Sequence, residues 1–224
     1  ITSGSRGELA IQKTGANVTV IAATGEIPAG VTQGAVFKST DGGATFPTQL
    51  TAGNNFCASQ CFYDIAVAFD PNNADTIYLA GSPQAVFKRS FNGGTTFTSS
   101  SSGLHVDTHA ISVSPSNPQI IYYGSDGGIY RSTNGGTNWT SLNNSTFAAT
   151  QFESIAVHPT LRNYTLGGTQ DNGTEFLVDD GTTWVNSDGG DGGNVVIDQN
   201  ATTATNVVSY HTYYNQTNSQ IGFA

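Results

Sequence analysis

The sequence predicts an all-β fold in which one four-stranded antiparallel sheet is repeated along the chain. A turn motif, Ser-x-Asp/Asn-x-Gly-x-x-aromatic, recurs with its third positions 51, 42 and 45 residues apart. A short apolar segment recurs with a similar period, because Phe69, Val113 and Val157 are each 44 residues apart. Turn formers are abundant, with 27 glycines in 224 residues. Repeats of this length with several short strands are typical of β-propeller blades.

Each repeat is predicted to contain, in order, an inner strand, a second strand, a third strand, the turn motif and a short outer strand. In the second repeat the first three are residues 65–69, 76–80 and 85–88, which are rich in the β-branched and aromatic residues that suit a pleated sheet. The predicted blades are residues 7–52, 60–103, 105–147, 150–188 and 190–224. The last blade ends before any recognisable turn motif, so we expect four complete blades and a partial fifth, within one larger propeller.

The turn motif has a clear chemical basis. Its Asp or Asn accepts hydrogen bonds from nearby backbone N–H groups, and its glycines supply positive φ without steric cost. The closing aromatic is expected to pack between neighbouring sheets. The motif residues are Ser39, Asp41, Gly43 and Phe46; Ser90, Asn92, Gly94 and Phe97; Ser132, Asn134, Gly136 and Trp139; and, in a degenerate fourth copy, Asp179, Gly181 and Trp184.

These copies resemble the Asp-box (BNR-type) repeats of sialidases, xyloglucan-cleaving enzymes and sortilin-type receptor propellers. Three copies match closely, and the repeats cover nearly the whole chain. The resemblance implies a β-propeller. In an antiparallel blade the turn motifs all lie on one face, so ligands are expected on the opposite face, where the second-to-third loops and the connections between blades meet.

Composition narrows the class of protein. A net charge of -9 with only seven Lys and Arg residues argues against nucleic acid or an anionic membrane as partner. No apolar run approaches the roughly 18 residues of a membrane span, so membrane insertion is not expected. The Thr/Asn-rich, weakly charged chain indicates a secreted or cell-surface protein. Cys57 and Cys61 are then expected to form a local disulfide, with two free thiols or a metal pair as the alternatives.

Candidate site residues lie on the predicted ligand face. In extended chain His105, Asp107 and His109 point the same way, so they are candidates to bind a divalent metal or to shuttle a proton. Hydrogen bonding to the adjacent loop is the alternative for these three residues. Superposing the repeats places Glu153 and Asp191 at neighbouring positions of the inner rim. Asp126 and Asp171 align in the second-to-third loops, as site carboxylates or as ordinary turn residues.

These residues bear on two classes of enzyme, sialidases and glycoside hydrolases. A sialidase needs an arginine cluster, but Arg89 and Arg131 directly precede turn motifs and so point to the wrong face. A glycoside hydrolase needs two carboxyl groups about 5 to 10 Å apart. The carboxyl groups that can supply such a pair belong to Asp107, Asp126, Asp171, Glu153 and Asp191.

Few aromatic residues are predicted near that site, whereas a sugar-cleaving cleft is lined with them. The predicted function is therefore a non-catalytic recognition or scaffold module for glycan or protein ligands, completed by the remainder of the propeller from the same or another chain. The alternative is a xyloglucanase-like glycoside hydrolase that uses a carboxylate pair.

Overall fold

The computed structural model describes residues 6–82, 85–143, 150, 152–178, 180–203, 205, 207–215 and 220–223. These residues form 19 β-strands and two short 3-10 turns, Thr51–Gly53 and Ala58–Gln60. Among them, no helix has the length and apolar character that crossing a membrane requires. The chain divides into two compact units, residues 1–149 and 150–224.

Unit 1 contains three four-stranded antiparallel sheets, in which the strands follow one another in chain order. The first sheet, blade 1, consists of β1 (Gly7–Thr14), β2 (Asn17–Thr24), β3 (Ala35–Ser39) and β4 (Thr48–Gln49). Blade 2 consists of β5 (Ala66–Asp70), β6 (Asn73–Ala80), β7 (Lys88–Ser90) and β8 (Thr98–Ser99). Blade 3 consists of β9 (Thr108–Val113), β10 (Ile121–Ser125), β11 (Gly128–Ser132) and β12 (Thr140–Ser141).

Unit 2 contains one complete sheet and one shorter sheet. The four-stranded sheet consists of β13 (Phe152–Val157), β14 (Thr165–Thr169), β15 (Gly173–Leu177) and β16 (Trp184–Asp188). The three-stranded sheet consists of β17 (Gly192–Ile197), β18 (Ser209–Asn215) and β19 (Gln220–Phe223). The predicted fold class is confirmed: the chain is all-β and is built of β-propeller blades, four complete and one partial. Each sheet falls within one of the five predicted ranges.

The apolar core of unit 1 lies between adjacent blades. Ile21 and Val36 of blade 1 pack in one cluster with Ile77 and Leu79 of blade 2. A second cluster joins blade 2 to blade 3, and its largest members are Tyr78, Phe87, Ile121 and Tyr123. Burial of each large apolar side chain contributes about 1.5–3 kcal/mol, so these clusters fix the spacing and register of the blades.

The turn motifs of unit 1 share one hydrogen-bond pattern. The Gly136 N–H donates to Ser132 Oγ (2.9 Å), and Ser132 Oγ donates to Asn134 Oδ1 (2.9 Å). Ser39 and Ser90 accept a hydrogen bond from Gly43 and Gly94 at the same distance. The second glycine of each motif has positive φ, between 78° and 90°.

In unit 2, Asp180 caps the fourth turn by accepting hydrogen bonds from the N–H groups of Thr182 (2.8 Å) and Thr183 (2.7 Å). The predicted motif residue Asp179 lies outside the described residues. Gly181 has φ of 69°, in keeping with its place in the turn, and Trp184 begins β16.

A cation just before the turn motif links each blade to the next blade in unit 1. Lys38 Nζ donates to the carbonyl of Gly93 (3.5 Å) in the turn of blade 2. Arg89 donates to the carbonyl of Gly135 (2.9 Å) and to Thr137 Oγ1 (2.7 Å) in the turn of blade 3. The basic side chains that precede the motifs therefore have a structural role.

The connection between blades 1 and 2 is held by a disulfide between Cys57 and Cys61. Cys57 and the neighbouring Phe56 are completely buried. Gly81 must lack a side chain here, because a Cβ atom would lie 2.3 Å from the carbonyl oxygen of Phe56. The connection then leads through Tyr63 and Asp64 into β5, so the disulfide fixes the chain just before these two residues.

Candidate functional site

Three carboxyl groups converge where the inner strands of unit 1 begin. Asp64 lies just before β5, Asp107 lies directly before β9, and Asp126 lies in the turn between β10 and β11. The Asp126 N–H donates to the carbonyl of Asp107 (3.2 Å), and side-chain oxygens of these two residues lie within 4.8 Å of each other. We refer to Asp64, Asp107 and Asp126 as the carboxyl cluster.

Asp64 is the most deeply placed member of the cluster. Its residue is 0% exposed, and no N–H or hydroxyl donor in the described part of the chain reaches either carboxyl oxygen. Burial, followed by the negative charge of Asp107, raises the pKa of Asp64 to about 8. Asp64 therefore holds a proton at neutral pH and donates it in a hydrogen bond to Asp107.

Asp126 is also buried, at 5% exposed, but it is well provided with donors. The Tyr63 hydroxyl donates to Asp126 Oδ1 (3.2 Å), and His109 Nε2 is paired with the same oxygen. The Tyr63 ring also meets the His109 imidazole edge-on, with 4.6 Å between ring centroids. His109 is therefore held in one orientation by a carboxylate and an aromatic ring.

One permanent cation lies near the cluster. The Arg6 guanidinium donates to the carbonyl of Tyr63 and pairs with the Glu8 carboxylate (3.3 Å). Its positive charge opposes the rise in the pKa of Asp64, but this effect is smaller than those of burial and of Asp107. Arg6 therefore balances only part of the negative charge of the carboxyl cluster.

The backbone at Asp107 determines how the cluster is assembled. Asp107 has φ of 61°, in the left-handed region, which Asp tolerates better than most residues. The following residue, Thr108, is buried and donates to the carbonyl of Gly81 (3.0 Å), while the Tyr123 hydroxyl donates to the carbonyl of His105 (2.7 Å). These bonds hold the segment that carries Asp107 against blades 2 and 3.

The structure brings Asp107, Asp126 and His109 together, but it does not align His105, Asp107 and His109 as one set of ligands. The prediction assumed extended chain through this segment, and that assumption is wrong because Asp107 has positive φ and β9 begins only at Thr108. His109 is paired with Asp126, and His105 Nδ1 lies 3.0 Å from the carbonyl of Val106. A divalent metal at the three predicted residues stays a prediction.

The remaining predicted residues belong to unit 2. Asp191 accepts hydrogen bonds from the Gln170 side chain (2.9 Å) and from the Asp171 N–H (3.1 Å). Asp171 has φ of 60°, as expected of a tight turn. Glu153 is exposed on β13. Asp191, which directly precedes β17, thus joins the turn at Asp171 to the start of that strand.

Sequence reasoning missed Asp64, although a signal was present. Asp64 directly precedes the apolar inner strand of blade 2, one residue from the position that superposes on Asp107. A carboxylate next to a buried strand, in a segment closed by two cysteines, is unusual enough to have identified Asp64 as a candidate.

Phe62, two residues before Asp64, is 75% exposed, and the Phe62 ring lies 6.3 Å from that of Tyr63.

Comparison with known proteins adds a likeness of fold. No protein family and no curated protein matches the sequence. The chain is similar to a GH74 enzyme of Niastella koreensis, with 22% identity, a TM-score of 0.46, and coverage of 96% of this chain and 35% of that one. It is similar to the GH74 xyloglucanase of Xanthomonas campestris, with 15% identity, a TM-score of 0.49, and coverage of 96% and 36%.

A third similar structure is YCF48 of Cyanidioschyzon merolae, with 17% identity and a TM-score of 0.39. That alignment covers 99% of this chain and 72% of YCF48. The chain spans about a third of the length of the two GH74 enzymes. At these identities the likeness concerns the fold alone.

Proposed function

We propose that the chain belongs to a secreted or cell-surface propeller of the Asp-box type that recognises a glycan or an extracellular protein without catalysis. The binding face is the one that carries the carboxyl cluster. The observation that carries this proposal is the burial of two of the three members of the cluster: Asp64 and Asp126 are buried, whereas Asp107, Tyr63 and His109 are half-buried and Phe62 is exposed. A buried carboxyl group orders a surface but does not itself reach a substrate.

A glycan is the ligand that this surface fits best. The exposed Phe62 ring offers an apolar face on which a sugar ring can stack, and beside it lie the half-buried rings of Tyr63 and His109, which contact each other edge-on. The carboxylates beneath disfavour an anionic ligand. A neutral oligosaccharide satisfies both conditions.

Two further features support an extracellular Asp-box protein. The Cys57–Cys61 disulfide would persist in an oxidising compartment, outside the cytosol. The three turns of unit 1 share one pattern of Ser, Asp/Asn and Gly hydrogen bonds, as repeats of one motif should.

The proposal is tested by titrating neutral oligosaccharides, including xyloglucan fragments, against the protein in a calorimeter. We expect Phe62→Ala to weaken binding at least tenfold, because the stacking surface is lost. Phe91→Ala is the matched control, since Phe91 is 62% exposed but lies in the turn motif of blade 2. Equal binding by Phe62→Ala and the native protein, or an equal loss in both variants, would contradict the proposal.

A glycoside hydrolase is the second candidate, and one observation favours it. The half-buried Asp107 touches a carboxyl group that keeps its proton near neutral pH, which is the state that a general acid requires. Side-chain oxygens of Asp107 and Asp126 within 4.8 Å are compatible with the close pair of a retaining enzyme, about 5–5.5 Å, and not with the wider pair of an inverting one.

The same samples distinguish the two candidates by the release of reducing ends from xyloglucan and other β-glucans. Release by the native protein, lost in a folded Asp107→Asn variant, would establish the hydrolase. We expect no release.

A further inference from the structure

Blade 1 has an apolar face that is open to solvent. Leu9 and Ile11 on β1 are 60% and 66% exposed, although both belong to an inner strand. Together with four other apolar side chains they line a groove of about 490 Å³. We call this surface the first-blade face; it consists of Leu9, Ile11, Val20, Ala22, Phe37 and Phe46.

The strand register identifies the equivalent positions in the other two blades of unit 1. In blade 1, Leu9 pairs with Ala22 and Ile11 pairs with Val20. The corresponding pairs are Val67 with Leu79 and Phe69 with Ile77 in blade 2, and Ile111 with Tyr123 and Val113 with Ile121 in blade 3. The first-blade face is therefore the same surface that blades 2 and 3 also possess.

In blades 2 and 3 this surface is covered by the preceding blade. Phe69, the equivalent of the exposed Ile11, is only 7% exposed, and Ile77 and Leu79 are 0% exposed and pack with Ile21 and Val36 of blade 1. Ile121 and Tyr123 are likewise 0% exposed and pack with blade 2. Both interfaces join the same two kinds of face, so the first-blade face has the shape and chemistry that a preceding blade covers.

The turn glycines give an independent indication of the missing contact. A Cβ atom on Gly94 would lie 2.4 Å from the Leu50 side chain of blade 1, and one on Gly136 would lie 2.7 Å from the Phe87 ring of blade 2. Each preceding blade thus places a large apolar side chain over the turn of the next blade. At Gly43 the nearest atom to such a Cβ is on Val20 of the same blade, at 3.7 Å. The space over Gly43 is open.

We propose that the first-blade face binds a further β-propeller blade, which inserts a leucine- or phenylalanine-sized side chain over Gly43 beside Phe46. A second copy of the same face is a poor occupant, because both interfaces in unit 1 join unlike faces. The inference depends on the packing of blades and not on the proposed glycan ligand, so either can fail alone.

The test uses thiol labelling of Leu9→Cys, with Ile27→Cys as the control, because Ile27 is equally exposed at 66% but lies in a loop. Cys57 and Cys61 are joined to each other, so the introduced thiol is the one that reacts. Each variant is made in the 224-residue chain and in a chain extended by a copy of residues 62–106, which contain no cysteine, placed before Gly7. In the extended chain we expect the labelling of Leu9→Cys to slow at least tenfold and that of Ile27→Cys to stay unchanged.

A second measurement checks the mode of packing. In the extended chain, changing the copied Phe87 to Ala should restore most of the labelling of Leu9→Cys, because that ring would lie over Gly43. Ile11→Gln should lower the melting temperature of the extended chain by several degrees and leave that of the 224-residue chain unchanged.

Three results would overturn the proposal. The first is equal labelling of Leu9→Cys in the extended and original chains. The second is protection in the original chain that disappears on dilution, which would identify a second copy as the occupant. The third is protection in the original chain at every concentration, which would mean that the chain covers its own face.

Discussion

Asp64 shows how one buried residue can govern the behaviour of a surface. An ionised carboxylate with no donor is costly in a protein interior, so the group keeps its proton. The proton then bonds Asp64 to Asp107 and lowers the charge of the cluster.

This arrangement predicts a pH dependence of stability. The folded state keeps the proton of Asp64 up to a pH of about 8, whereas the unfolded chain loses it near 3.8. The free energy of unfolding should therefore fall as the pH rises from about 4 to about 8, by at most about 1.4 kcal/mol per pH unit from this group. Asp64→Asn cannot ionise, so its stability should fall less steeply in urea denaturation at pH 5, 6, 7 and 8.

Asp75→Asn is the control, because Asp75 is exposed and lies outside the cluster. Asp107, Asp126 and Arg6 are the charged groups that act on Asp64, and they remain in both variants. An Asp64→Asn variant whose stability declines with pH as steeply as that of the native protein would show that Asp64 is ionised in the folded state.

Residue-level features divide into those that a sequence can reveal and those that it cannot. Asp107, Asp126 and His109 were predicted as candidates from their place in the repeat, and they meet in the structure. The positive φ of Asp107 could not be predicted, because it depends on the bonds of Thr108 and Tyr123 to distant segments. Without it, the alternation of an extended strand suggested that His105, Asp107 and His109 point the same way.

The turn motif is the element that identifies the repeats of the chain. Its Ser Oγ donates to the Asp or Asn side chain and accepts from backbone N–H groups, so a single hydroxyl serves several partners in a buried position. Repeats of this motif were predictable because its chemistry is local. The ends of the strands were harder to predict. For example, β7 begins at Lys88 and not at Ala85, because Ala85 forms a turn with Ser82 and Gly81.

Removal of that hydroxyl should destabilise a blade. Ser132→Ala leaves the buried N–H of Gly136 without its acceptor, and we expect a loss of about 1–2 kcal/mol in the free energy of unfolding. Thr133→Ala is the matched control, since Thr133 is the next residue of the same turn and is exposed. Equal stability of the two variants in urea denaturation would show that the serine is dispensable.

At the scale of the whole molecule, the repeat predicted the number and order of the sheets correctly. Propeller blades repeat the same local pairing, so a period and a strand pattern suffice to count them. What covers the first-blade face could not be predicted from any single repeat. The three equivalent registers place Ile11, Phe69 and Val113 at the same position, where Ile11 is 66% exposed, Phe69 is 7% exposed and Val113 is half-buried.

The positions of the basic side chains, two of which link one blade to the next, also determine where trypsin can cut the folded chain. The chain has seven Lys and Arg residues, and Lys13, Lys38, Lys88, Arg89 and Arg131 all lie within strands. Arg6 and Arg162 lie outside strands, and Arg162 is exposed between β13 and β14. In a native trypsin digestion, the first cuts should therefore fall at these two positions and leave residues 7–162 as one resistant fragment, which mass spectrometry would identify. Early cleavage after Lys38 or Arg131 would mean that the blades open readily.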